Sequence, residues 1–238
     1  MREVYLDHAA TTPLDPRVWE AMVPFFREQF GNPQSLHRYG DGPREAVEHA
    51  RAQVAELIGA QDKEIFFTAS GSEANNFALK GIAFANENVG KHLVISAIEH
   101  HSVLNSARTL EKLGYEITVI PVDAHGLVDP AAVAEAVRDD TVLVSIIHGS
   151  NEIGTIQPIA EIARRVKERK RRIYVHTDAV MTAGTIPVNV DELGVDLLSL
   201  AGSAFYGPKG SGALYIRRGT RIMPYIDGGV QEKSRRGG

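Results

Sequence analysis

The sequence predicts an α/β fold with a mainly parallel open sheet and helices on both faces. Two observations lead to this prediction. Short apolar strands alternate with helix-like segments, and one of them, residues 141–147, is continuously apolar, as expected for a central parallel strand. In addition, small and polar residues follow several strands directly, which is where open α/β sheets bind their ligands.

In the first half of the chain, apolar residues at helical spacing predict helices over residues 16–30 and 43–58. The second helix is expected to bury Ala46, Ala50, Val54 and Leu57 and to end before Gly59. The remaining elements predicted in this half are strands over residues 64–68, 92–96 and 116–121 and helices over residues 74–84 and 103–113.

The second half repeats the alternation without an internal sequence repeat or coiled-coil heptads. It contains the apolar strand 141–147 and a long polar helix whose C-terminal part is strongly basic. The elements predicted here are helices over residues 129–137 and 159–171 and strands over residues 141–147, 173–176, 195–200 and 212–216.

Composition excludes several classes of function. The net charge is −4 and the pI is about 6.1, which argues against a nucleic-acid partner, since that role needs a basic face. The basic run 164–172 is interpreted as the solvated face and last turn of a helix. The absence of cysteine excludes disulfides, a cysteine nucleophile and thiolate metal sites. No apolar run is long enough for a bilayer and no signal pattern opens the chain, so we expect a cytoplasmic protein without a membrane role.

The turn after residue 68 is a candidate anion site. A strand delivers Ser70, Gly71 and Ser72 onto a helix N-terminus, where free N–H groups and the helix dipole favour negative charge. The alternative is an ordinary capping box formed by Ser70 and Glu73.

Three other strands end in residues with binding chemistry. His100 and His101 follow the second strand, and adjacent histidines on a strand face opposite ways, so they chelate a metal poorly. We therefore predict no metal site. Asn151 follows the strand 141–147 and is a candidate for contacting a ligand. The alternative is an asparagine that makes the local hydrogen bonds of a turn. Asp178 follows the strand that begins at residue 173.

Six motifs in order resemble those of the cysteine desulfurases, a branch of the class V aminotransferase-like enzymes that use pyridoxal phosphate. They cover residues 7–13, 31–33, 70–73, 99–100, 151–154 and 178–210. In the last motif the family reads Ser-x-His-Lys-x-Tyr-Gly-Pro-Lys-Gly. This chain has Ala201 for the serine, Ser203 for the histidine and Ala204 for the lysine, followed by an unchanged turn that includes the family's second lysine, Lys209.

The resemblance assigns roles to residues of this chain. It implies the fold of the large domain of pyridoxal-phosphate enzymes related to aspartate aminotransferase. Gly71 and Ser72 would bind the cofactor phosphate, the ring of His100 would stack on the pyridine, and Asp178 would hold the proton of the ring nitrogen. The other cofactor positions are Asn151, Met181 and Ser203. Met181 stands where the family has a glutamine that contacts the phenolic oxygen, and a methionine cannot donate there. Asn151 and Arg236 would bind the substrate.

The same resemblance implies a homodimer that takes sulfur from L-cysteine, leaves alanine and passes the sulfur to an iron–sulfur scaffold protein. It divides the chain into an N-terminal segment, 1–15, and the cofactor-binding large domain, 16–238, and it puts a C-terminal small domain outside this sequence. Ala204 occupies the position of the lysine that forms a Schiff base with the cofactor. No catalytic residue is therefore intact, and bound cofactor would be non-covalent.

Two other interpretations compete with this one. In the first of them, the chain is a non-catalytic relative that binds pyridoxal phosphate or serves as a scaffold, and it docks iron–sulfur assembly partners. A serine hydrolase is a third class, but no G-x-S-x-G motif occurs in the sequence.

Overall fold

Seven strands form one mixed sheet in the computed structural model, which describes residues 2–238. Their order across the sheet is β1-β7-β6-β5-β4-β2-β3. β7 is antiparallel to its neighbours β1 and β6, and the other pairs are parallel. The strands are β1 (Ile65–Thr68), β2 (His92–Ser96), β3 (Glu116–Ile120), β4 (Thr141–Ser145), β5 (Tyr174–Asp178), β6 (Leu197–Ala201) and β7 (Gly212–Ile216).

Helices connect the strands and cover both faces of the sheet, so the predicted α/β fold is confirmed. No helix within residues 2–238 combines the length and the apolar character needed to cross a membrane. The helices are α1 (Pro16–Arg27), α2 (Asp41–Leu57), α3 (Gly71–Ala85), α4 (His101–Lys112), α5 (Pro130–Glu135), α6 (Ile159–Arg169), α7 (Val190–Leu193) and a last helical turn, α8 (Gln231–Ser234).

Two apolar cores lie on opposite faces of the sheet. On one face α3 and α4 bury residues such as Phe77, Ile82 and Leu110 against the strands. On the other face α2, α5, α6 and α7 bury a second set that includes Ile58 and Ile162. Because the sheet is covered on both sides, its central strands are buried along their whole length.

Buried histidines join neighbouring strands through hydroxyl groups. His176 on β5 bonds Ser145 on β4 at 2.8 Å and Ser199 on β6 at 3.0 Å. Burial lowers the pKa of His176 to about 3, so the ring is neutral wherever the protein is folded near neutral pH. The sheet is thus fixed by side chains as well as by its backbone ladder.

The predicted buried face of α2 is wrong in part. Leu57 is 41% exposed, whereas Arg51 and Ala55 are buried. The reason is a long-range ion pair, since the Arg51 guanidinium contacts the Glu232 carboxylate at 2.7 Å and the Ile65 carbonyl at 2.9 Å. The buried face of α2 therefore contains a charged residue, Arg51.

The boundaries of the predicted elements are correct to within a few residues. α1 ends at Arg27 and α6 at Arg169, both earlier than predicted, while α3 begins at Gly71 and β6 at Leu197. The four-residue helices α7 and α8 were not predicted. Helices this short have almost no apolar periodicity to detect.

The N-terminal segment is attached to the sheet through Thr12. Its N–H and Oγ1 both donate to the Ser203 carbonyl, at 2.9 and 3.0 Å, and its Oγ1 accepts the Tyr206 N–H at 2.7 Å. Tyr206 has a φ of +66°, which a tyrosine adopts at a cost. The segment and the turn after β6 therefore hold each other in place.

Candidate functional site

All strands except β7 run in one direction and end at the same edge of the sheet, among them β1, β2, β4, β5 and β6. The segments after them surround a cavity of about 340 Å³, a volume within the range of small-molecule sites, roughly 300–1,000 Å³. The lining residues are Ala9, Ala10, Ser70, Gly71, Ser72, Asn75, His100, Ile147, Asn151, Asp178, Val180, Met181, Ala201 and Ser203.

The N-terminus of α3 forms one wall of the cavity. The Ser70 hydroxyl caps the helix by accepting the Glu73 N–H at 3.1 Å. The N–H groups of Gly71 and Ser72 have no acceptor within their own helix, because they belong to its first turn. A Cβ on Gly71 would lie 2.6 Å from Cγ2 of Val180. Glycine thus lets β5 approach the helix, and the wall can bind an anion. The serine cap is present, but the reciprocal bond of a capping box is not, because Glu73 Oε2 accepts the Ala69 N–H at 2.9 Å rather than the Ser70 N–H. The anion site stays a prediction.

Asp178 lies at the buried end of β5. Its Oδ1 accepts the Val180 N–H at 3.0 Å and its Oδ2 accepts the Asn75 amide at 2.6 Å. Burial raises the pKa of Asp178, and these hydrogen bonds and the nearby His100 oppose the rise. The carboxyl group is fixed in direction and lines the cavity, so it can hold a proton on a ligand nitrogen.

His100 and Glu99 follow β2 and differ in exposure. Glu99 is buried, and its Oε1 accepts both the Ser96 hydroxyl and the Ile147 N–H, the latter at 2.8 Å. Burial raises the pKa of Glu99 to about 8, so the carboxyl is protonated at neutral pH. His100 is half-buried and lines the cavity, with its Nδ1 2.7 Å from the Ser102 hydroxyl.

The turn after β6 contains the substituted positions. Ser203 lines the cavity, and its carbonyl accepts from Thr12. Ala204 next to it has no amine to offer. Lys209 does not replace that amine, since its Nζ contacts the Thr12 carbonyl at 3.2 Å and the residue is not among those that line the cavity.

Asn151 and Met181 also line the cavity. The amide of Asn151 donates to its neighbour Glu152 at 2.9 Å. Met181 is half-buried and presents a thioether, which accepts weakly and donates nothing. Met181 therefore offers a ligand no hydrogen-bond donor, whereas a polar side chain with an N–H or O–H group at this position would offer one.

Arg236 lies outside the cavity lining, next to α3. Its Nε is 2.7 Å and its Nη2 is 3.2 Å from the Glu73 carboxylate. The Glu73 side chain also accepts the Ala69 N–H at 2.9 Å. The charge of Arg236 is thus neutralised within the protein, and its substrate-binding role stays a prediction.

The structure gathers the other seven predicted site residues around the cavity. Asn75 also lines the cavity and was not predicted, nor was Ser102, which does not line the cavity but lies 2.7 Å from His100 Nδ1. Asn75 is 1% exposed and lies on the buried face of α3 among apolar residues. A polar side chain in that stripe was the available signal, because buried amides occur where they have partners. In the described part of the chain, no three His, Cys, Asp or Glu side chains are grouped to hold a metal ion.

The residues present fit pyridoxal phosphate bound without a covalent bond. An anion fits the Gly71–Ser72 turn, whose N–H groups have no acceptor within the helix and which lines the cavity. A ring nitrogen fits the buried Asp178 carboxyl, and the ring of His100 stands at the cavity wall. Ala204 has no amine, so a covalent bond to the cofactor cannot form at this position.

The sequence matches the family model described as aminotransferase class-V over residues 4–234. A cysteine desulfurase IscS of Dictyoglomus turgidum is 58% identical over 237 residues, which are 100% of this chain and 60% of that protein. A cysteine desulfurase IscS of Methanosarcina thermophila is 51% identical over 100% of this chain and 58% of its own length. The chain thus spans about three-fifths of the length of these curated relatives.

Solved structures are similar over the whole chain. A NifS-like protein superposes with a TM-score of 0.97 at 41% identity, covering 100% of this chain and 65% of that one. A structure titled SspA in complex with cysteine gives a TM-score of 0.95 at 41% identity, with 99% and 68% covered. At these identities the likeness extends beyond the fold to the family.

Proposed function

Because the chain belongs to the class-V aminotransferase family, whose cysteine desulfurase members depend on pyridoxal phosphate, we propose that it is the cofactor-binding part of a cysteine desulfurase-type protein. Residues 16–238 would be the large domain and residues 1–15 its N-terminal segment, with a small domain to follow in the whole protein. The observation that carries the proposal is a cavity that keeps Gly71, His100 and Asp178 but has Ala204 at the lysine position.

When bound, pyridoxal phosphate supplies an electron sink that acidifies the α-carbon of an amino acid. The residues of this chain would bind and orient it. The N–H groups of Gly71 and Ser72 would bind the phosphate, Asp178 would keep a proton on the ring nitrogen, and the His100 ring would cover one face of the pyridine. Asn151 would contact the phenolic oxygen and the substrate.

The substituted residues weaken this binding and remove the chemistry. Ala201, Ser203 and Met181 take away polar contacts, and each hydrogen bond lost to a charged group costs roughly 1.5–3 kcal/mol. Ala204 can neither anchor the cofactor nor move a proton of the substrate, and proton transfer alone contributes about 10²–10⁴-fold to such rates. Binding would be reversible, and turnover by this chain alone very slow or nil.

Substrate and partners follow from the relatives. L-cysteine is the proposed amino acid, in agreement with the cysteine complex of a similar protein. The iron–sulfur scaffold protein, the homodimer and a cytoplasmic location are proposed with the IscS-type function. The whole protein would carry out this function, and the residue that accepts the sulfur would lie outside residues 1–238.

An absorbance titration with pyridoxal phosphate, before and after adding cysteine, tests the proposal. We expect a saturable bound species that dialysis removes and whose spectrum shifts with cysteine. Release of alanine or sulfide from cysteine at a clear rate by this chain alone would contradict the inactivity. Absence of saturable binding by folded protein would contradict the cofactor site.

Variants at residue 204 sharpen the test. Ala204→Lys should make the bound species resist dialysis and become fixed by borohydride. Ala204→Met has a similar length without an amine and should leave binding reversible. Equal behaviour of the two variants would mean that residue 204 does not face the cofactor.

The alternative is a non-catalytic relative that docks iron–sulfur assembly partners. One observation favours it: Met181, Ala201 and Ser203 line one cavity and Ala204 adjoins it, so the losses are concentrated there. This alternative would lead if folded protein binds no pyridoxal phosphate but still binds a scaffold protein in a pull-down with purified components.

A further inference from the structure

We propose that Asn75 and Ser102 are positioning residues that hold His100 with its Nδ1 as an acceptor and its proton on Nε2, on the cavity wall. The inference goes beyond the proposed function, because it concerns hydrogen bonds present before any ligand binds. Both residues come from helices, while His100 and Asp178 follow strands.

The first link joins Asp178 to Asn75. Asn75 is 1% and Asp178 is 3% exposed, and Nδ2 of the amide donates to Oδ2 of the carboxyl at 2.6 Å. The reverse orientation of the amide would turn both of its N–H donors to the side on which Asn75 has no hydrogen-bond partner, and would leave them buried and unsatisfied. The Oδ1 of Asn75 has no hydrogen-bond partner within residues 2–238. The amide is therefore held through its nitrogen alone.

The second link joins Asn75 to Ser102. Its amide nitrogen carries two hydrogens, and the second one is donated to the Ser102 Oγ at 2.8 Å. A serine hydroxyl that accepts this bond has one hydrogen left to give. The remaining partner within reach is His100 Nδ1, at 2.7 Å.

The third link fixes the imidazole. His100 Nδ1 faces the Ser102 hydroxyl and also accepts the Ser102 N–H at 3.2 Å, because His100 caps the N-terminus of α4. A backbone N–H can only donate, so Nδ1 must be the bare nitrogen of the neutral ring. The proton is then on Nε2, for which no hydrogen bond is found in the described residues.

The result is a chain of hydrogen bonds from Asp178 through Asn75 and Ser102 to His100. Its two ends are the groups that would contact the edge and the face of a ring in the cavity. Each hydrogen bond of this network has a fixed donor and a fixed acceptor, so Asp178 and His100 are both oriented before a ligand arrives. This lowers the free-energy cost of ordering the two side chains on binding.

Imidazole ¹⁵N spectra of the ligand-free protein test this proposal directly. The spectra are recorded at about pH 9, and the His100 resonances are assigned by their loss in His100→Gln. We expect His100 Nε2 to carry the proton and Nδ1 to be bare but shifted upfield by its donors. Ser102→Ala should move the Nδ1 resonance downfield, and Asn75→Leu should move it the same way by less.

Matched variants separate positioning from general damage. Ser102→Thr keeps the hydroxyl and should restore the wild-type Nδ1 shift. Ser106→Ala removes another hydroxyl of α4, one that bonds the Ser102 carbonyl, and should leave the His100 ring shifts unchanged. A protonated Nδ1 in the wild type, or an unmoved Nδ1 in folded Ser102→Ala, would overturn the proposal.

A binding measurement adds the consequence for the cavity. If pyridoxal phosphate binds, Ser102→Ala should weaken it about fivefold, the equivalent of one ordinary hydrogen bond of about 1 kcal/mol, and Ser102→Thr should not. Equal affinity of Ser102→Ala and the wild type would contradict the orienting role. Failure of the wild type to bind would count against the proposed function, while the ligand-free spectra still decide the present one.

Discussion

Glu99 is a buried carboxyl without a counterion among the described residues. It lies between the ends of β2 and β4, where its Oε2 has no hydrogen-bond partner within residues 2–238. A protonated carboxyl places its hydrogen there, whereas an ionised one would leave a buried charge without a counterion. Burial therefore keeps the group neutral, and its pKa is raised to about 8.

The free energy of unfolding should therefore decrease as the pH rises, because of Glu99. Its pKa is raised from 4.5 to about 8 on folding, so between these values the folded state binds more protons than the unfolded state. The free energy of unfolding should decrease over that window by at most about 5 kcal/mol. In Glu99→Gln the amide keeps the acceptor for Ser96 and Ile147, so this decrease should be absent.

Urea unfolding at several pH values measures the effect. Glu111→Gln, at an exposed carboxylate of α4, is the matched control and should follow the wild type. Parallel pH profiles for Glu99→Gln and the wild type would show that Glu99 is ionised in the folded protein.

At the scale of single residues, the sequence predicts site residues that lie at or soon after the end of an apolar run and misses Asn75 and Ser102. Gly71, His100 and Asp178 were predicted because each of them comes soon after an apolar run. Asn75 and Ser102 were not, since their importance depends on contacts across 103 and 27 positions of the chain. A local pattern carries no information about such pairs.

At the scale of elements, the last helical turn is held by an ion pair that is almost fully buried. Arg51 on α2 and Glu232 on α8 have side chains 4% and 11% exposed, and Glu232 also accepts the Phe67 N–H at 2.8 Å. The pair closes a loop of 181 positions. It explains why the apolar periodicity of α2 failed to predict its buried face, since the partner of Arg51 is distant in sequence.

Removing the cation should release this turn. Arg51→Met leaves the Glu232 carboxylate buried and unpaired, which typically costs about 3–5 kcal/mol. We expect lower thermal stability and faster amide hydrogen exchange in residues 228–238. Arg44→Met removes an arginine of the same helix from an exposed pair with Asp41 and should change both quantities little. Unchanged exchange in Arg51→Met would mean that backbone contacts alone hold the turn.

At the scale of the whole molecule, several large apolar side chains near the N-terminus are exposed. Leu36 is 97%, Phe30 is 70%, Phe26 is 67% and Trp19 is 53% exposed. Exposed apolar side chains that gather into a patch mark contact with another protein surface. The fold class could be predicted from alternating strands and helices, whereas this surface could not, because apolar spacing on α1 looks the same whether its partner lies inside or outside the chain.

The exposed surface should make the chain self-associate. Sedimentation velocity over a range of concentrations is expected to show a concentration-dependent shift to a dimer or larger species. The double variant Phe26→Ser with Phe30→Ser should shift the distribution towards monomer. Leu113→Ser with Val119→Ser, at two other exposed apolar positions, is the control and should not. A wild type that stays monomeric at all concentrations would contradict the expected homodimer.

The one antiparallel strand has a consequence for how the chain is made. β1 pairs only with β7, and Thr68 faces Gly212 in that pairing. During synthesis β1 leaves the ribosome early and stays without its neighbour until nearly the whole chain has emerged. Such distant pairing folds slowly and leaves an unpaired strand open to other chains meanwhile. A nascent chain interrupted before β7 should therefore depend on chaperones far more than the finished one.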